Sequence, residues 1–561
     1  MKTKIIYILF SITLLINTSC NRDFLTVTPQ GLLSATQLTN LDGIESSLIA
    51  SYTMLNGNKS GQWAAFSSGP DNWVWGEVAA DNAHKGSDAG DVPDIGAIES
   101  HNIIATNSSL YELWQRRFEG ILRCNNTLKL LASTPDVNNT ARGKEISAEA
   151  RFLRAHYYFD LWKVFKYVPY VTDTTANPSL VTNDRDIIKD IEADMVYAEQ
   201  NLPVTKPLNQ VGRVDKIAAK AYLGKIYLYQ NNYAPALVLF KDVIASRPDL
   251  TTLDFRNNFD VSKRNGPETI FGVQHSVNDG TKGSRGNVGA MLNAPFKAGL
   301  PVSCCGAFTP SFNLVNAFRV TSGGLPDYDA LYASYFPSSF DIGIFEVPIT
   351  IAVDPRLDYT VGRQGVPYRD WGVMEGNSWV RNPGNSGPFV PYKNVTDASQ
   401  IAVHTEAGAS NVNDLIVSVI RLADVYLMAA ECAAQTNDIP YALNLVNKVR
   451  LRAANLPAKQ IKVGTNFVNA ADYKVNPYPS FPNLAYAMKA IQWERRLELA
   501  MEGYRFFDLR RWGILKSTLD AYATFESKKI SISAAIPKED YFYPIPQIEI
   551  DNSKGVLKQH N

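Results

Sequence analysis

Helical periodicity that comes in pairs is the feature that most constrains the fold of this chain. Residues 216–229 place apolar or small side chains about one turn apart, at Ile217, Ala218, Ala221, Leu223, Gly224 and Tyr227. A short polar turn at 230–232 follows, and residues 233–246 repeat the pattern around Phe240. Because apolar residues at i, i+3 and i+4 are typical of amphipathic helices, this segment predicts two antiparallel helices joined by a tight turn.

The same hairpin matches the tetratricopeptide consensus when Ile217 is taken as its first position. The matching residues are Leu223, Gly224, Tyr227, Ala236, Phe240 and Pro248. Gly224 would let the second helix approach closely, and the Phe240 ring would fill the groove between them. Further helices are predicted by residues 146–165, 185–201, 420–435, 439–453 and about 485–502, the last ending at Gly503 as a C-terminal cap. The fold class is therefore mainly α, with a scaffold of about four tetratricopeptide-like hairpins.

Two long segments break this helical pattern. Residues from about 254 to 414 are rich in Gly, Pro, Asn, Ser and aromatic residues, with short apolar runs at Thr269–Val273 and Ile416–Val419. Residues 60–105 share that composition. We expect two irregular excursions with a few short strands, mounted on the helical scaffold, where binding residues are usually found.

The first twenty residues predict export. Residues 2–4 hold two lysines, residues 5–16 are mostly apolar, and small residues lead into Cys20. This pattern is typical of a secretory signal peptide over residues 1–19. Cys20 resembles the cysteine of a bacterial lipobox, which becomes an acylated N-terminus, although Asn17 stands where that motif prefers Leu or Val. The prediction is a lipid anchor at Cys20, and the alternative is an ordinary secreted protein.

Composition excludes several other classes. Lys+Arg and Asp+Glu are both 55, so net charge gives no reason to expect nucleic acid as a partner. After the leader, no stretch approaches the ~20 apolar residues of a membrane-spanning helix. Five cysteines in 561 residues are too sparse for a disulfide framework.

Charged residues near the C-terminus have two interpretations. Glu494, Glu498 and Glu502 recur at i, i+4, and paired carboxylates can serve a glycosidase. The same segment carries a surplus of arginines, at Arg495, Arg496, Arg505, Arg510 and Arg511, which would hold the acids ionised. We therefore expect a structural ion-pair network and no catalytic residues.

Other sequence patterns for catalysis or metal binding are missing. The six histidines show no ligand spacing, and no nucleophile or phosphate-binding motif occurs. Asp88, Asp91 and Asp94 lack the pattern of a calcium-binding EF-hand loop and favour a solvated acidic loop. We expect no metal and no cofactor.

Several strings resemble the SusD/RagB family of outer-membrane nutrient-uptake lipoproteins. The longest is WERRLELAMEGYRFFDLRRWG at residues 493–513. The others are VIRLADVYLMAAE at 419–431, VNKVRLRA at 446–453, RAHYY at 154–158, DPRL at 354–357, YPIP at 543–546 and DFL at 23–25. They stand in the family's order, so the resemblance covers essentially the whole chain. It divides the chain into an N-terminal SusD-like region with helical repeats, 20–253, and a C-terminal RagB/SusD region, 254–561, loop-rich over 254–414 and helical over 415–561.

The resemblance implies a function. Such a protein would be anchored by its lipid in the outer membrane, facing the cell exterior, and would capture an oligosaccharide or other nutrient. It would deliver that ligand to a SusC-like TonB-dependent β-barrel, over which it sits as a lid, and it would not be an enzyme. Two alternatives from the residues alone are a tetratricopeptide scaffold for a protein or peptide and, less favoured, a secreted carbohydrate-active enzyme.

Aromatic residues of the two excursions are the candidate ligand contacts, because sugars present flat C–H faces to fixed rings. From the first excursion we select Trp73 and Trp75, which would share one face of a strand, with Asp81 and Asn82 for hydroxyl groups. The alternative for the two tryptophans is burial against the scaffold. From the second we select residues around two tryptophans: Tyr368, Trp371, Trp379 and Arg381.

Overall fold

The structure is a computed structural model that describes residues 38–58, 66–338, 347–532 and 537–560. The predicted signal peptide and the Cys20 anchor lie outside these residues. The larger helices are α1 (Leu41–Tyr52), α2 (Pro93–Glu99), α3 (Ser108–Ala132), α4 (Ala141–Phe165), α5 (Ile188–Asn201), α6 (Lys216–Tyr229), α7 (Tyr233–Ala245), α8 (Leu422–Gln435), α9 (Ile439–Ala454), α10 (Leu484–Leu499), α11 (Arg505–Arg511) and α12 (Leu515–Glu526). Shorter helices cover Pro135–Asn138, Phe312–Ala317, Ala330–Ala333, Pro383–Ser386, Ile401–His404 and Gln547–Asn552.

Four helical hairpins form the scaffold. In chain order α1 packs on α3, α4 on α5, α6 on α7 and α8 on α9, and each hairpin also contacts the next. The mainly helical prediction and the estimate of about four hairpins are confirmed. Helices α1, α3 and α12 were not singled out from the sequence, although α3 has apolar residues at helical spacing along its buried face.

Small residues permit the close packing of these helices, as the repeat pattern predicted. A Cβ atom added at Gly224 would lie 2.6 Å from the Phe240 ring, so a larger residue there would force α6 and α7 apart. Gly120 of α3 has the same relation to Tyr157 of α4, also at 2.6 Å. Both contacts fall inside one continuous apolar core that runs along the scaffold.

The strands are short and pair two at a time. Their bounds are β1 (Ala83–Gly86), β2 (Thr269–Val273), β3 (Ala307–Pro310), β4 (Ile349–Val353), β5 (Val361–Gly362), β6 (Val390–Pro391), β7 (Val417–Arg421), β8 (Gln460–Val463), β9 (Asn466–Asn469) and β10 (Ala471–Tyr473). Antiparallel pairs join β1 to β3, β2 to β7, β5 to β6 and β8 to β9, while β4 and β10 run parallel. The two apolar runs predicted in the second excursion become the β2–β7 pair.

The end of α10 differs from the prediction. The helix stops at Leu499, because Ala500 already has extended backbone with ψ at 137°. Gly503 is left-handed, with φ at 85°, but it is no cap of this helix. Gly503 instead lies in close contact with Gly76 of the first excursion, since a Cβ atom at Gly76 would lie 2.0 Å from the Gly503 carbonyl oxygen. In the described part of the chain no helix is long and apolar enough to cross a membrane.

Candidate functional site

Trp73 and Trp75 do not face solvent. Their exposed fractions are 1% and 0%, and the Trp75 indole nitrogen donates to the Ser67 carbonyl oxygen at 2.6 Å. Trp73 lies 5.4 Å from the Phe308 ring, and Trp75 meets Tyr543 edge-on at 5.0 Å. Trp73 thus packs against the second excursion, and Trp75 packs against the C-terminal segment. The expectation that they stack on a ligand does not fit their enclosure.

Asp81 and Asn82 are likewise engaged inside the protein. Asp81 pairs with Arg496 at 3.1 Å and with Arg505 at 2.7 Å. Burial raises the pKa of Asp81, but the two guanidinium groups outweigh it and hold that pKa at about 2. Asn82 accepts from the Arg496 Nε at 2.8 Å and donates to Glu77. Both residues tie the first excursion to α10 and α11, so neither is available to ligand hydroxyl groups.

The predicted aromatic residues of the second excursion form one cluster. Tyr368 lies 5.4 Å from the Trp379 ring and 5.5 Å from the Trp371 ring. Tyr368 and Trp379 are 0% and 2% exposed, whereas Trp371 is half-buried and donates to the Thr396 carbonyl oxygen. The structure therefore brings these three predicted residues together, chiefly as a small core that stabilises the loops above it.

The charged C-terminal segment is an ion-pair network, as expected, but its glutamates pair with cations of other segments and not with the neighbouring arginines. Arg495 and Arg511 pair with Asp508 instead. Glu498 pairs with Arg421, Arg452 and Arg356, and all four side chains are 2% exposed or less. Burial raises the pKa of Glu498, but these arginines outweigh it and place that pKa far below its usual range. Such a carboxylate is held ionised and cannot donate a proton near neutral pH.

The two excursions meet at Arg381. Strand β1 of the first pairs with β3 of the second, and the turn after β1 carries Asp88 and Asp91. Arg381 binds Asp88 Oδ2 through Nε at 2.7 Å and Asp91 Oδ2 through Nη1 at 3.1 Å. Nη1 also donates to the Ser87 hydroxyl oxygen at 3.1 Å. One predicted residue thus joins two loops that are far apart in sequence.

An exposed ring lies directly on this junction. The Phe296 side chain is 43% exposed, and the Arg381 guanidinium carbon lies 5.3 Å from the ring centroid. The Phe296 backbone nitrogen donates to the Trp379 carbonyl oxygen at 3.0 Å, so the buried cluster fixes its position. In the neighbouring loop the adjacent residues Cys304 and Cys305, both half-buried, form a disulfide with each other.

We call Asp88, Asp91, Phe296, Arg381 and the Cys304–Cys305 pair the Phe296–Arg381 surface. Arg381 was selected from the sequence, whereas Phe296 was missed. The available signal was a single aromatic residue among Ala, Pro and Lys at 294–298.

The Phe296–Arg381 surface combines a ring with fixed polar groups. The side chains of Asp88 and Asp91 are 48% and 37% exposed, so their oxygens still have room for further hydrogen bonds. Arg381 and the buried Lys85, whose ammonium donates to the Asp88 and Asp91 carbonyl oxygens, balance the two carboxylates. Stacking area beside carboxylate acceptors and guanidinium donors suits a neutral ligand rich in hydroxyl groups.

Metal binding has little support in the described residues. Among residues 38–58, 66–338, 347–532 and 537–560 no group of three or more His, Cys, Asp or Glu side chains is placed to hold an ion. Asp94, the third acid of the loop, accepts from the backbone nitrogen of Ser108 instead.

Fold and site together define a helical-repeat protein whose candidate site lies on loops held by the scaffold. A sequence profile described as "SusD family" matches residues 267–561, more than half of the chain. A second, described as "Starch-binding associating with outer membrane", matches residues 46–228. The chain belongs to the SusD family.

Individual relatives agree with this assignment. SusD-like protein P38 of Formosa agariphila is 25% identical over 456 residues, which cover 78% of this chain and 79% of the relative. Among solved structures, surface glycan-binding protein A from Bacteroides thetaiotaomicron, in complex with laminarihexaose, has a TM-score of 0.64 at 20% identity and covers 92% of this chain and 99% of its own. A structure described as a laminarin-binding SusD-like protein has a TM-score of 0.64 at 22% identity, covering 93% and 99%. These similarities show a shared fold.

Proposed function

We propose that this protein binds a neutral oligosaccharide at the Phe296–Arg381 surface and delivers it to a SusC-like TonB-dependent transporter in the outer membrane. The observation that carries the binding site is an exposed ring resting on a guanidinium that two half-exposed carboxylates hold in place. A ring fixed from below loses little conformational entropy when it stacks on a sugar face. Delivery to a transporter rests on the family resemblance, and anchoring rests on the leader and Cys20.

Relatives support a saccharide as the ligand class. Structural neighbours are described as binding laminarin and as bound to laminarihexaose, and one family profile carries the words starch-binding. Binding without turnover is supported by the ion-pair network, in which the candidate acids are buried beside arginines. We therefore propose a binding protein in preference to a glycosidase.

The test is calorimetry of the protein against a panel of neutral hexaoses, namely laminarihexaose, cellohexaose, maltohexaose, mannohexaose and xylohexaose. For whichever hexaose binds, Phe296→Ala should weaken the affinity by roughly 5- to 150-fold. That range corresponds to ~1–3 kcal/mol for the stacking area of one ring. Arg381→Ala should weaken it as well, because the ring and both carboxylates lose their common support.

Phe467→Ala is the matched control. Phe467 is also an exposed phenylalanine, at 70%, but it lies on the β8–β9 hairpin and contacts none of the residues of the site. It should bind like wild type. Wild-type affinity in both Phe296→Ala and Arg381→Ala would place the site elsewhere.

A further inference from the structure

A second concave surface is formed by residues of the second excursion together with Lys459, which lies between α9 and β8. Its walls include Asn257, Tyr359, Arg369, Asp370, Tyr392 and Lys459, and its volume is about 410 Å³. That volume falls in the range of small-ligand sites. None of these residues belongs to the Phe296–Arg381 surface. We call this concavity the Tyr359–Lys459 cleft.

Arg369 is held rigidly in the wall of the cleft. Its backbone has a left-handed φ of 48°, which is costly for a residue other than glycine and persists only where surrounding contacts fix it. The guanidinium pairs with Asp397 at 2.7 Å, donates to the Phe259 carbonyl oxygen at 3.0 Å and lies 5.1 Å from the Tyr392 ring centroid. A polar group fixed in this way is ready for a ligand before the ligand arrives.

Lys459 supplies a second cation between two rings. Its ammonium nitrogen lies 4.8 Å from the ring centroids of both Tyr359 and Tyr392 and donates to the Tyr392 hydroxyl at 2.9 Å. Within the residues that the structure describes, no carboxylate lies within ion-pair distance of Lys459. An ammonium has three donors, so this lysine retains hydrogen-bonding capacity toward the cleft.

Within the described residues, two carboxylates of the cleft form no ion pair. Asp370 accepts from the backbone nitrogen of Ser399 at 3.0 Å, and Asp260 accepts from Ser262 and Gln400. Burial and the charges of both acids raise the pKa of Asp397, although Arg369 opposes this.

The summed charge of the cleft follows from its pairs. Arg369 is cancelled by Asp397, and Arg256 is cancelled by Asp254, which it binds at 2.6 Å. The remaining charges are the positive Lys459 and the negative Asp260 and Asp370, so the cleft carries one net negative charge. A uronate or sulfate group would meet net repulsion there.

We propose that the Tyr359–Lys459 cleft is a second saccharide site, which takes a short segment of a neutral, hydroxyl-rich chain. Its walls combine cationic donors with carboxylate acceptors, and Tyr359 and Tyr392 offer little ring surface for stacking, since they are only 6% and 7% exposed. An extended peptide would need apolar pockets for its side chains, whereas sugar hydroxyl groups pair with each of these groups. The ligand class rests on the proposed function; the placement of the site does not.

Two sites on one chain have a measurable consequence. A polysaccharide that reaches both would bind the second site as an intramolecular event, at an effective concentration set by the sugar chain between them. The protein would therefore prefer a long chain to a hexaose of the same linkage.

Asn257→Trp tests the inference by filling the mouth of the cleft. Asn257 is exposed, and no side-chain hydrogen bond of the described structure is lost. Lys459→Met is the second variant, since it keeps the aliphatic stem but removes the ammonium group. Equilibrium dialysis with the hexaose that binds in calorimetry should reveal two sites per wild-type chain. One site should be weakened or lost in Asn257→Trp and in Lys459→Met, the other should be weakened in Phe296→Ala, and both should be affected in Asn257→Trp combined with Phe296→Ala. Thermal melting verifies that each variant is folded.

The outcomes separate the two proposals. The second site is overturned if the wild-type chain binds one hexaose and Phe296→Ala weakens that binding. It is also overturned if two hexaoses bind the wild type and both still bind folded Asn257→Trp and Lys459→Met. Either result leaves the proposed function standing. One hexaose that is lost in Asn257→Trp and kept in Phe296→Ala supports the cleft and moves the function to it. No binding of any hexaose at millimolar concentration overturns both.

Discussion

Arg421 donates through Nη1 to Oε1 of Glu498 at 2.7 Å, and neither side chain is exposed to solvent. The same oxygen also accepts from Arg452, so one buried carboxylate oxygen serves two arginines that come from different elements, the end of β7 and α9. Arg356 of the second excursion also pairs with Glu498, so β7, α9 and the second excursion are joined at this carboxylate. A charge cluster of this kind is stable only when each member keeps its partners.

Glu498→Ala should therefore lower the free energy of unfolding by about 3–5 kcal/mol, because it leaves buried arginines without their common carboxylate. Urea denaturation followed by circular dichroism measures the change. Glu119→Ala is the control, since the Glu119–Arg123 pair is 38% and 27% exposed and should contribute less than ~1 kcal/mol. Similar losses in both variants would contradict a structural role for the network.

Stability should also depend on pH through His84. Its imidazole lies 2.9 Å from Glu99 and 3.0 Å from Glu526, with the Tyr522 hydroxyl at 3.4 Å. Burial lowers the pKa of His84, but Glu526 and Glu99 outweigh it and raise that pKa to about 9. The folded pKa exceeds the unfolded value of about 6.5, so the stabilisation is complete below pH ~6.5 and is lost as pH rises through ~9.

His84→Gln checks this linkage. At pH 6 the unfolding free energy of the wild type should exceed that of the variant. This excess should be larger at pH 6 than at pH 9.5 by on the order of 3 kcal/mol. Denaturation curves across this range give the difference at each pH. A difference that does not change with pH would show that folding leaves the pKa of His84 unshifted.

Local patterns predicted most of the scaffold, because apolar side chains three and four residues apart indicate a helix. The hairpin of α1 and α3 was not singled out. Residues 216–229 became α6 without change of bounds. The site was harder to predict. On a strand, Trp73 and Trp75 would point to the same face. In the structure Trp75 lies in a π-helical turn, Val74–Val78, that begins directly after Trp73, and both rings are buried in the core. Asp88 and Asp91 reach Arg381 because β1 pairs with β3, and Phe296 reaches it through the backbone hydrogen bond to Trp379. No local sequence pattern encodes either contact.

The buried tryptophans give a stability prediction in place of an affinity prediction. Trp75→Ala should lower the unfolding free energy by about 3–5 kcal/mol, as expected for a large cavity in a core. Trp75→Ala molecules that remain folded should bind the hexaose found in the calorimetric panel as tightly as the wild type does. Calorimetry after size-exclusion purification measures this affinity. Wild-type stability combined with lost binding would instead restore Trp75 as a ligand contact.

Anchoring can be tested independently of any ligand. Cys20→Ala should release the protein from the membrane fraction, because acyl chains at roughly 0.8 kcal/mol per buried CH₂ would be its only hydrophobic anchor. Cell fractionation and immunoblotting measure the distribution, with Cys124→Ala as a control, since Cys124 is a buried core thiol. A variant that stays fully membrane-bound after its leader is cleaved would refute the lipid anchor.

Glu77 of the first excursion accepts from the backbone nitrogen of Gly503 at 2.8 Å, a contact that spans 426 positions, and Asn82 is bound by Arg496 across 414. Contacts between such distant positions form late, because the whole intervening chain must first be present. During synthesis the first excursion therefore waits for residues that are made hundreds of positions afterwards. A chain interrupted before α10 would carry its early helices but would lack the contacts that hold the first excursion, which carries Asp88 and Asp91 of the proposed site.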